Sequence, residues 1–457
     1  MSGGDDTAEF RPVDMPRDTR ALLNFGGEFG AAIDQFLAAA DDGRWDRSID
    51  TVIDPKDPQA VAHWVYKSIN PVVRPAQSGA LDIKALFEPF RQTQFALLPE
   101  GFVGDREISL SASGDLMCTP GLDDAKDRLF LEVEELVFGA DIAYANLEST
   151  LTTGEIALTE FSEGSPPMIN LTPAQYETLV SHRGRSFDVL HLANNHILDC
   201  GEEGIRTTLA RLDRDGIAQV GVNRTAEDAL QPRIVELAGL RIGWVAHTFS
   251  VNFKPFPPDK PWIVNMTPFH LEPEPDIVPV ERQIRACRDA GCDLVFAALH
   301  WGLEFELYPT PQQIEWAHRF AEAGADLVIG HHPHVPQPVE IYRPQRDPDL
   351  AVPILYSIGN LSTLLSHPAM VLSLIARIRI ARGEYRGRPE TRIAGLELTP
   401  VVLVAEIDAE ADVVRLVPLE KLARSAGPGQ MREYVDDVSR YADIVVGTGW
   451  RQAPLTI

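Results

Sequence analysis

Leu327-Val328-Ile329-Gly330-His331-His332-Pro333-His334 decides the reading of this chain. A short apolar run of strand length leads straight into two imidazoles spaced one residue apart, His332 and His334. Imidazole is the commonest protein ligand for Zn, Fe, Mn and Ni ions. Two of them at the end of one strand can converge on a single cation or on two adjacent ones. A His pair of this kind is common on protein surfaces, so its weight depends on the rest of the chain. Four further apolar runs end in potential ligands: Asp115, Asn146 with Glu148, Asn195 with His196, and His300.

Working outward from that stretch, helices and strands alternate. Upstream, Thr310-Pro311-Gln312-Gln313 predicts a capping box opening a helix that ends near Gly324. Before it, Leu294–Leu299 reads as a strand and Val280–Ala290 as a helix. Further back, strands are expected over Ile108–Ala112, Ile142–Ala145 and Val189–Ala193. Helices are expected over Asp124–Phe138, from Thr172-Pro173 onward, and over Gly204–Arg214, the last ended by Gly216. A hairpin turning at Gly239 is expected between Ile234–Leu237 and Arg241–His247. Downstream, Ile354–Ile358 reads as a strand, and Val401–Ile407 with Val413–Val417 as a second hairpin around an acidic turn. Alternation implies βαβ units, and the hairpins add antiparallel strands, so the expected fold is a mixed α/β sandwich. The Pro-rich stretch Lys254–Pro279 is long enough to be a lid, a binding loop or a surface crossover. Residues 1–104 read as a mostly helical N-terminal extension, 105–420 as the main domain and 421–457 as a C-terminal helical tail. Within the extension, Ala31–Ala40 and Ala60–Ile69 have helical apolar spacing.

Composition bounds the function. Hydrophobic content of 44% and charged content of 24% are those of an ordinary globular protein. A net charge of −26 argues against nucleic acid or an anionic membrane as the main partner, because both would be repelled. No apolar run reaches the roughly 18 residues a membrane helix needs. Met1–Asp18 lacks the basic and apolar regions of a signal peptide, so a cytoplasmic location is expected. The four cysteines have neither zinc-finger spacing nor scaffold density. Cys287 and Cys292 read as buried thiols, and Cys118 and Cys200 either line the site or simply pack.

Open α/β sheets bind ligands beyond the carboxyl ends of their strands, and all five polar clusters fall there. Singly, each has an ordinary structural alternative: Asp115 and Asn146 as turn residues, Glu148 as a helix-cap acid, Asn194-Asn195-His196 as a turn, His300 as a packed core histidine. Jointly they predict a metal centre. Carboxylate, carboxamide and imidazole without thiolate suit one or two Mn, Fe or Zn ions better than a Cys-rich structural zinc. Such ions can activate water and polarise a phosphoryl or carbonyl oxygen. His196, with Asp199 three residues on as an orienting carboxylate, fits a general acid.

Six segments then follow one another in a familiar order. They are Gly114-Asp115-Leu116-Met117, Asn146-Leu147-Glu148, Ala193-Asn194-Asn195-His196-Ile197-Leu198-Asp199, His300-Trp301-Gly302-Leu303-Glu304, Gly330-His331-His332-Pro333-His334 and Tyr356-Ser357-Ile358-Gly359-Asn360. Together they resemble the CapA family of poly-γ-glutamate capsule-biosynthesis proteins, similar in fold to calcineurin-like metallophosphoesterases. The resemblance covers about Ile108 to Leu361 and implies an α/β/β/α sandwich with a metal-dependent hydrolase site. It implies Asp115 as the first-strand ligand, Glu148 as the bridging carboxylate, and Asn195, His300, His332 and His334 as the remaining ligands, with His196 as the acid. His331 reads as a neighbour. Phosphoesterases usually carry a second ligand two residues after the first aspartate, and Met117 stands there instead. Capsule proteins of this family are commonly membrane-anchored, whereas no anchor is legible here. The expected substrate is a small or oligomeric anion, a phosphoester or a glutamate-containing amide. The alternative is a non-catalytic metal-binding accessory protein for polymer synthesis. A basic groove from Arg183, Arg185 and Arg206 would favour a longer polyanion.

Overall fold

The Val103–Leu116 strand lies inside a nine-stranded sheet and sets the position of the whole site. On one side it pairs in parallel with Ile142–Leu147, then Val189–His191, then Ala218–Val220. On the other it pairs antiparallel with Leu372–Tyr385, which forms a long hairpin with Arg388–Glu406. A second sheet of six strands runs Arg233–Leu237, Leu240–Thr248, Leu294–His300, Leu327–His331, Val352–Leu355, Val339–Tyr342. The computed structural model describes residues 9–22, 26–43, 45–46, 48, 54–76, 81–152, 168–407 and 413–452.

The apolar pattern of one strand shows why two layers of core form. In Leu294–His300, Leu294, Phe296 and Ala298 join the core shared by the two sheets, while Val295, Ala297 and Leu299 join a separate outer core. Side chains alternate across a strand, so a run apolar at every position is buried on both faces. Between the sheets Tyr144 stacks on Trp244 at 5.0 Å, and Trp244 meets Phe296 edge-on at 5.3 Å. Outside the second sheet, helices Val278–Asp289 and Pro311–Ala323 present Ile284, Cys287, Ile314, Ala317 and Phe320 to the outer core. Outside the first sheet, helix Gly201–Asp215 buries Ile205, Leu209 and Leu212. This is the expected mixed-sheet α/β/β/α sandwich of metallophosphoesterase type.

Most element boundaries agree with the sequence. Thr172 forms a full capping box with Gln175 ahead of Pro173–Val180. Thr310 accepts from the Gln313 amide at the start of Pro311–Ala323, and Gly216 closes its helix at φ 72°. The helix expected from Asp124 forms only over Glu134–Phe138. Residues 119–133 instead run through turns, and Asp127 adopts φ 56°, a left-handed conformation that a helix interior does not tolerate. Leu122, Ala125, Leu129, Phe130 and Val133 are all buried, so their helix-like spacing serves a chain of turns. The Leu372–Tyr385 strand and its hairpin with Arg388–Glu406 were not anticipated, the sequence having offered only Val401–Ile407 of the second strand; Arg386 and Gly387, both at positive φ, make the two-residue turn. The acidic turn at 408–412 lies outside the described residues.

The first hundred residues contribute directly to this core. Helix Pro58–Ile69, capped by Asp57, buries Val61, Ala62 and Val65 against the same residues as the sheets. Lys67 of that helix forms a buried ion pair with Glu306 at 2.9 Å. At the other end, helix Gln430–Val446 buries Val435, Val438, Ala442 and Val445. Among the described residues, no helix is long and apolar enough to cross a membrane.

Candidate metal centre

Two backbone approaches bring the strand ends together. A Cβ on Gly114 would sit 2.0 Å from the Gly359 carbonyl oxygen, and one on Gly330 would sit 1.8 Å from that of Tyr356. Only glycine permits such contact. Asp115 and His331 thereby meet, with His331 Nδ1 2.7 Å from Asp115 Oδ1. Beyond Gly330 the chain turns through His332 at φ 98° and His334 at φ 57°. Left-handed backbone is costly for residues with a Cβ, and strain of this kind gathers at functional sites.

The seven residues picked out by the sequence for metal and acid roles, together with Asp199, are all buried. Donor atoms of Glu148, His300 and His332 lie within 4.8 Å of one another, as do those of Asp115, Glu148 and His334. Glu148 belongs to both trios. Asn195 joins the first through its Oδ1, 2.8 Å from His300 Nε2. His196 stands apart from the trios: its Nδ1 lies 2.6 Å from Asp199 Oδ2, which also accepts the Ile169 amide at 2.6 Å. Asn146, which the sequence offered as a ligand, instead donates to Asp115 Oδ1 at 2.8 Å.

The electrostatics fit a cation. Neither carboxylate oxygen of Glu148 has a hydrogen-bond partner among the described residues, nor does His332 Nδ1. Buried polar atoms are almost always paired, and an unpaired carboxylate in an apolar interior is costly. Burial, and then the Asp115 carboxylate, push the Glu148 carboxyl well above its usual range. Burial, the largest influence on Asp115, opposes its ionisation, but the imidazoles of His331, His300 and His334 together outweigh it and hold the carboxyl below its usual range. Burial drives His300 and His332 well below the usual imidazole range, so both stay neutral with a lone pair to offer. Two carboxyl groups with neutral imidazoles make the donor set of Mn²⁺, Fe²⁺ or Zn²⁺, and a bound cation would displace the proton that burial favours on Glu148.

His331 is the neighbour of the ligands that the sequence indicated, while the roles of Tyr144, Asn194, Asn360 and Glu304 escaped the sequence reading. His331 contacts Asp115 and Tyr144, whose hydroxyl is 3.0 Å from His331 Nε2. Asn194 donates to the Leu147 carbonyl at 2.8 Å and accepts the His196 amide at 3.1 Å, locking that turn. Asn360 Oδ1 lies 2.9 Å from His334 Nδ1. Glu304 places Oε1 3.7 Å from His334 Nε2. The tail of the His300-Trp301-Gly302-Leu303-Glu304 segment was the available signal for Glu304. Cys118 is buried near enough to Asp199 to feel its charge, with its thiol pushed up to about 12 chiefly by burial. The basic groove is absent among the described residues: Arg183 and Arg185 lie against Glu134 and Glu135, and Arg206 pairs with Glu203.

A two-layer metallophosphoesterase-like sandwich whose strand ends gather two carboxylate–imidazole trios around one shared glutamate is the class this fold and site define. The particular family follows from the sequence profile of the bacterial capsule synthesis protein PGA_cap, which matches residues 109–363. The chain belongs to that family. It is 28% identical over 56% of its length to "PGA biosynthesis protein CapA" of Bacillus subtilis, covering 63% of that protein. It is 30% identical over 58% of its length to "Capsule biosynthesis protein CapA" of Bacillus anthracis, covering 62% of it. Against the "Probable polyglutamine synthesis accessory protein" Rv0574c of Mycobacterium tuberculosis the identity is 32% over 48% of this chain and 55% of the other. The chain thus spans somewhat over half the length of these relatives.

Proposed function

We propose that this chain is a metal-dependent hydrolase of the CapA type, acting on a phosphoester or a glutamate-containing amide in polyglutamate or capsule metabolism. The observation that carries the proposal is Glu148, buried with both oxygens unpartnered and common to two donor trios. Asp115, Glu148 and His334 would hold one divalent ion, and Glu148, Asn195, His300 and His332 a second. When bound, such ions supply Lewis-acid stabilisation of developing negative charge and activation of water. The protein does the rest. Asp115 is kept ionised by the histidines around it, His331 foremost, and His300 and His332 are kept neutral by burial, so each presents the protonation state a ligand needs. The Asp199 carboxylate accepts from His196 Nδ1, which leaves His196 Nε2 as the atom that would hand a proton to a leaving group.

A net charge of −26 supports a small or oligomeric anion handled in the cytoplasm over a long polyanion. The Debye length is about 8 Å at physiological ionic strength, so a short anion would feel mainly the metal centre and a long one the acidic surface as well. Turnover of a panel of phosphoesters and glutamyl peptides by Mn²⁺-loaded protein tests the proposal. Hydrolysis that disappears on chelation is expected. The names of the M. tuberculosis relatives favour a second reading, a non-catalytic metal-binding accessory protein. Metal bound without turnover on any member of the panel selects that reading.

A further inference from the structure

The two donor trios are unequal. Asn195 adds a fourth protein donor beside His300, whereas among the described residues no further His, Cys, Asp or Glu joins the Asp115–Glu148–His334 trio within 4.8 Å. Glu304 stands on that poorer side. Its Oε2 accepts the Trp64 indole N–H at 2.8 Å, and its Oε1 lies 3.7 Å from His334 Nε2.

The tautomer of His334 is set by Asn360. The Asn360 amide nitrogen donates to the carbonyls of His334 and Met370, at 2.9 and 3.2 Å, so its Oδ1 is an acceptor. That oxygen lies 2.9 Å from His334 Nδ1, which therefore carries the hydrogen. His334 Nε2, the ring nitrogen left free of that bond, faces Glu304 Oε1 at 3.7 Å and Glu148 Oε1 at 3.8 Å. One imidazole nitrogen and two carboxylate oxygens thus converge, and the Glu148 oxygen among them has no hydrogen-bond partner among the described residues. A cation placed among them would take all three as ligands.

Glu304 is also held firmly. Its loop follows the Leu294–His300 strand and is gripped on two sides. The Phe305 amide donates to the Pro333 carbonyl at 2.8 Å, and the Phe305 carbonyl accepts the Val72 amide at 2.8 Å. Lys67 pairs with the next residue but one, Glu306. Trp64, Lys67 and Val72 all precede the segment matched by the family profile.

We propose that Glu304 is a further protein ligand of the Asp115–Glu148–His334 half of the centre, with Trp64 as the residue that positions it. Helix Pro58–Ile69 is then part of the frame of the metal site. The inference rests on the two-ion reading proposed above. It is tested by titrating chelator-stripped protein with Mn²⁺ and following heat and stoichiometry, with thermal melts of each metal-free variant alongside. Wild type should bind two equivalents. Glu304→Gln should weaken one of them by at least about 10-fold and leave the other unchanged, with an unaltered metal-free melt. Trp64→Phe should weaken the same equivalent by a smaller factor. In wild type, Mn²⁺ should change tryptophan emission, and that change should be missing from Trp64→Phe. Two equivalents bound by Glu304→Gln with wild-type affinity overturn the inference alone, as does the loss of both equivalents together. Wild type that takes up no Mn²⁺ contradicts the metal-centre reading itself, and the inference falls with it.

Discussion

His331 links Asp115 to Tyr144: its Nδ1 donates to Asp115 Oδ1 at 2.7 Å, and its Nε2 lies 3.0 Å from the Tyr144 hydroxyl. The first histidine of the His331-His332-Pro333-His334 run therefore backs a ligand, and the other two face the centre. A hydrogen-bonded partner fixes the orientation of a ligating carboxylate and tunes its basicity. His331→Phe should weaken Mn²⁺ binding by about 10–100-fold. It should also cost about 1 kcal/mol of stability, because the Tyr144 hydroxyl keeps only its 3.5 Å contact with His191 Nδ1. Calorimetric titration and urea unfolding measure the two effects, and wild-type Mn²⁺ affinity in the variant would contradict the assigned role.

His196 is set off from the trios by its bond to Asp199. His196→Ala should keep its metal complement and lose about 10²–10⁴-fold in kcat, the usual contribution of acid–base catalysis. Asp199→Asn should lower kcat in the same direction, because the imidazole loses its carboxylate acceptor. Loss of metal from His196→Ala would make this side chain a ligand instead.

Acid sensitivity should come from buried histidines away from the centre as well as within it. Burial lowers His247 and His367 from 6.5 to about 4, and His270 to about 3. Burial, helped by Lys67, takes His63 to about 3. In each case the unfolded chain binds the proton more tightly than the folded one. The stabilisation from keeping these rings neutral is complete above pH 6.5 and is lost as the pH falls toward 4 and below. The Tm of chelator-stripped protein should therefore drop steadily from pH 6.5 to pH 4, as read by calorimetry. A Tm that is flat or rising over that interval would count against these burial assignments.

Lys67 and Glu306 form an ion pair with both side chains almost fully buried, at 4% and 2% exposure. Removing one partner strands the other charge, so Lys67→Met should destabilise the protein by about 3–5 kcal/mol. The double variant Lys67→Met, Glu306→Gln should recover much of that loss, since neither residue then carries a charge into the interior. Equal stability of the single and double variants in urea would show that the pair is not coupled.

The features legible in the sequence share one property: they are local. Short apolar runs, Thr172 and Thr310 as caps and Gly216 as a stop are signals read over a few residues, and they placed most elements. The site was legible because open sheets collect ligands at strand ends, so Asp115, Glu148, Asn195, His300, His332 and His334 could be chosen one strand at a time. Contacts between distant segments left no such trace. Trp64 reaches Glu304 across 240 residues, and His331 reaches Asp115 across 216. The turn-rich 119–133 segment misled for a related reason. Its apolar spacing is helical, but the left-handed Asp127, which accepts the Arg183 amide at 2.7 Å, is imposed by a strand pair far along the chain.

The central claim is a two-ion centre bridged by Glu148, and elemental analysis of protein purified without chelator tests it most directly. Wild type should carry close to two equivalents of Mn, Fe or Zn. Glu148→Ala should carry almost none, because both trios lose their shared carboxylate. Wild type free of metal, or Glu148→Ala with the full wild-type complement, would contradict the account.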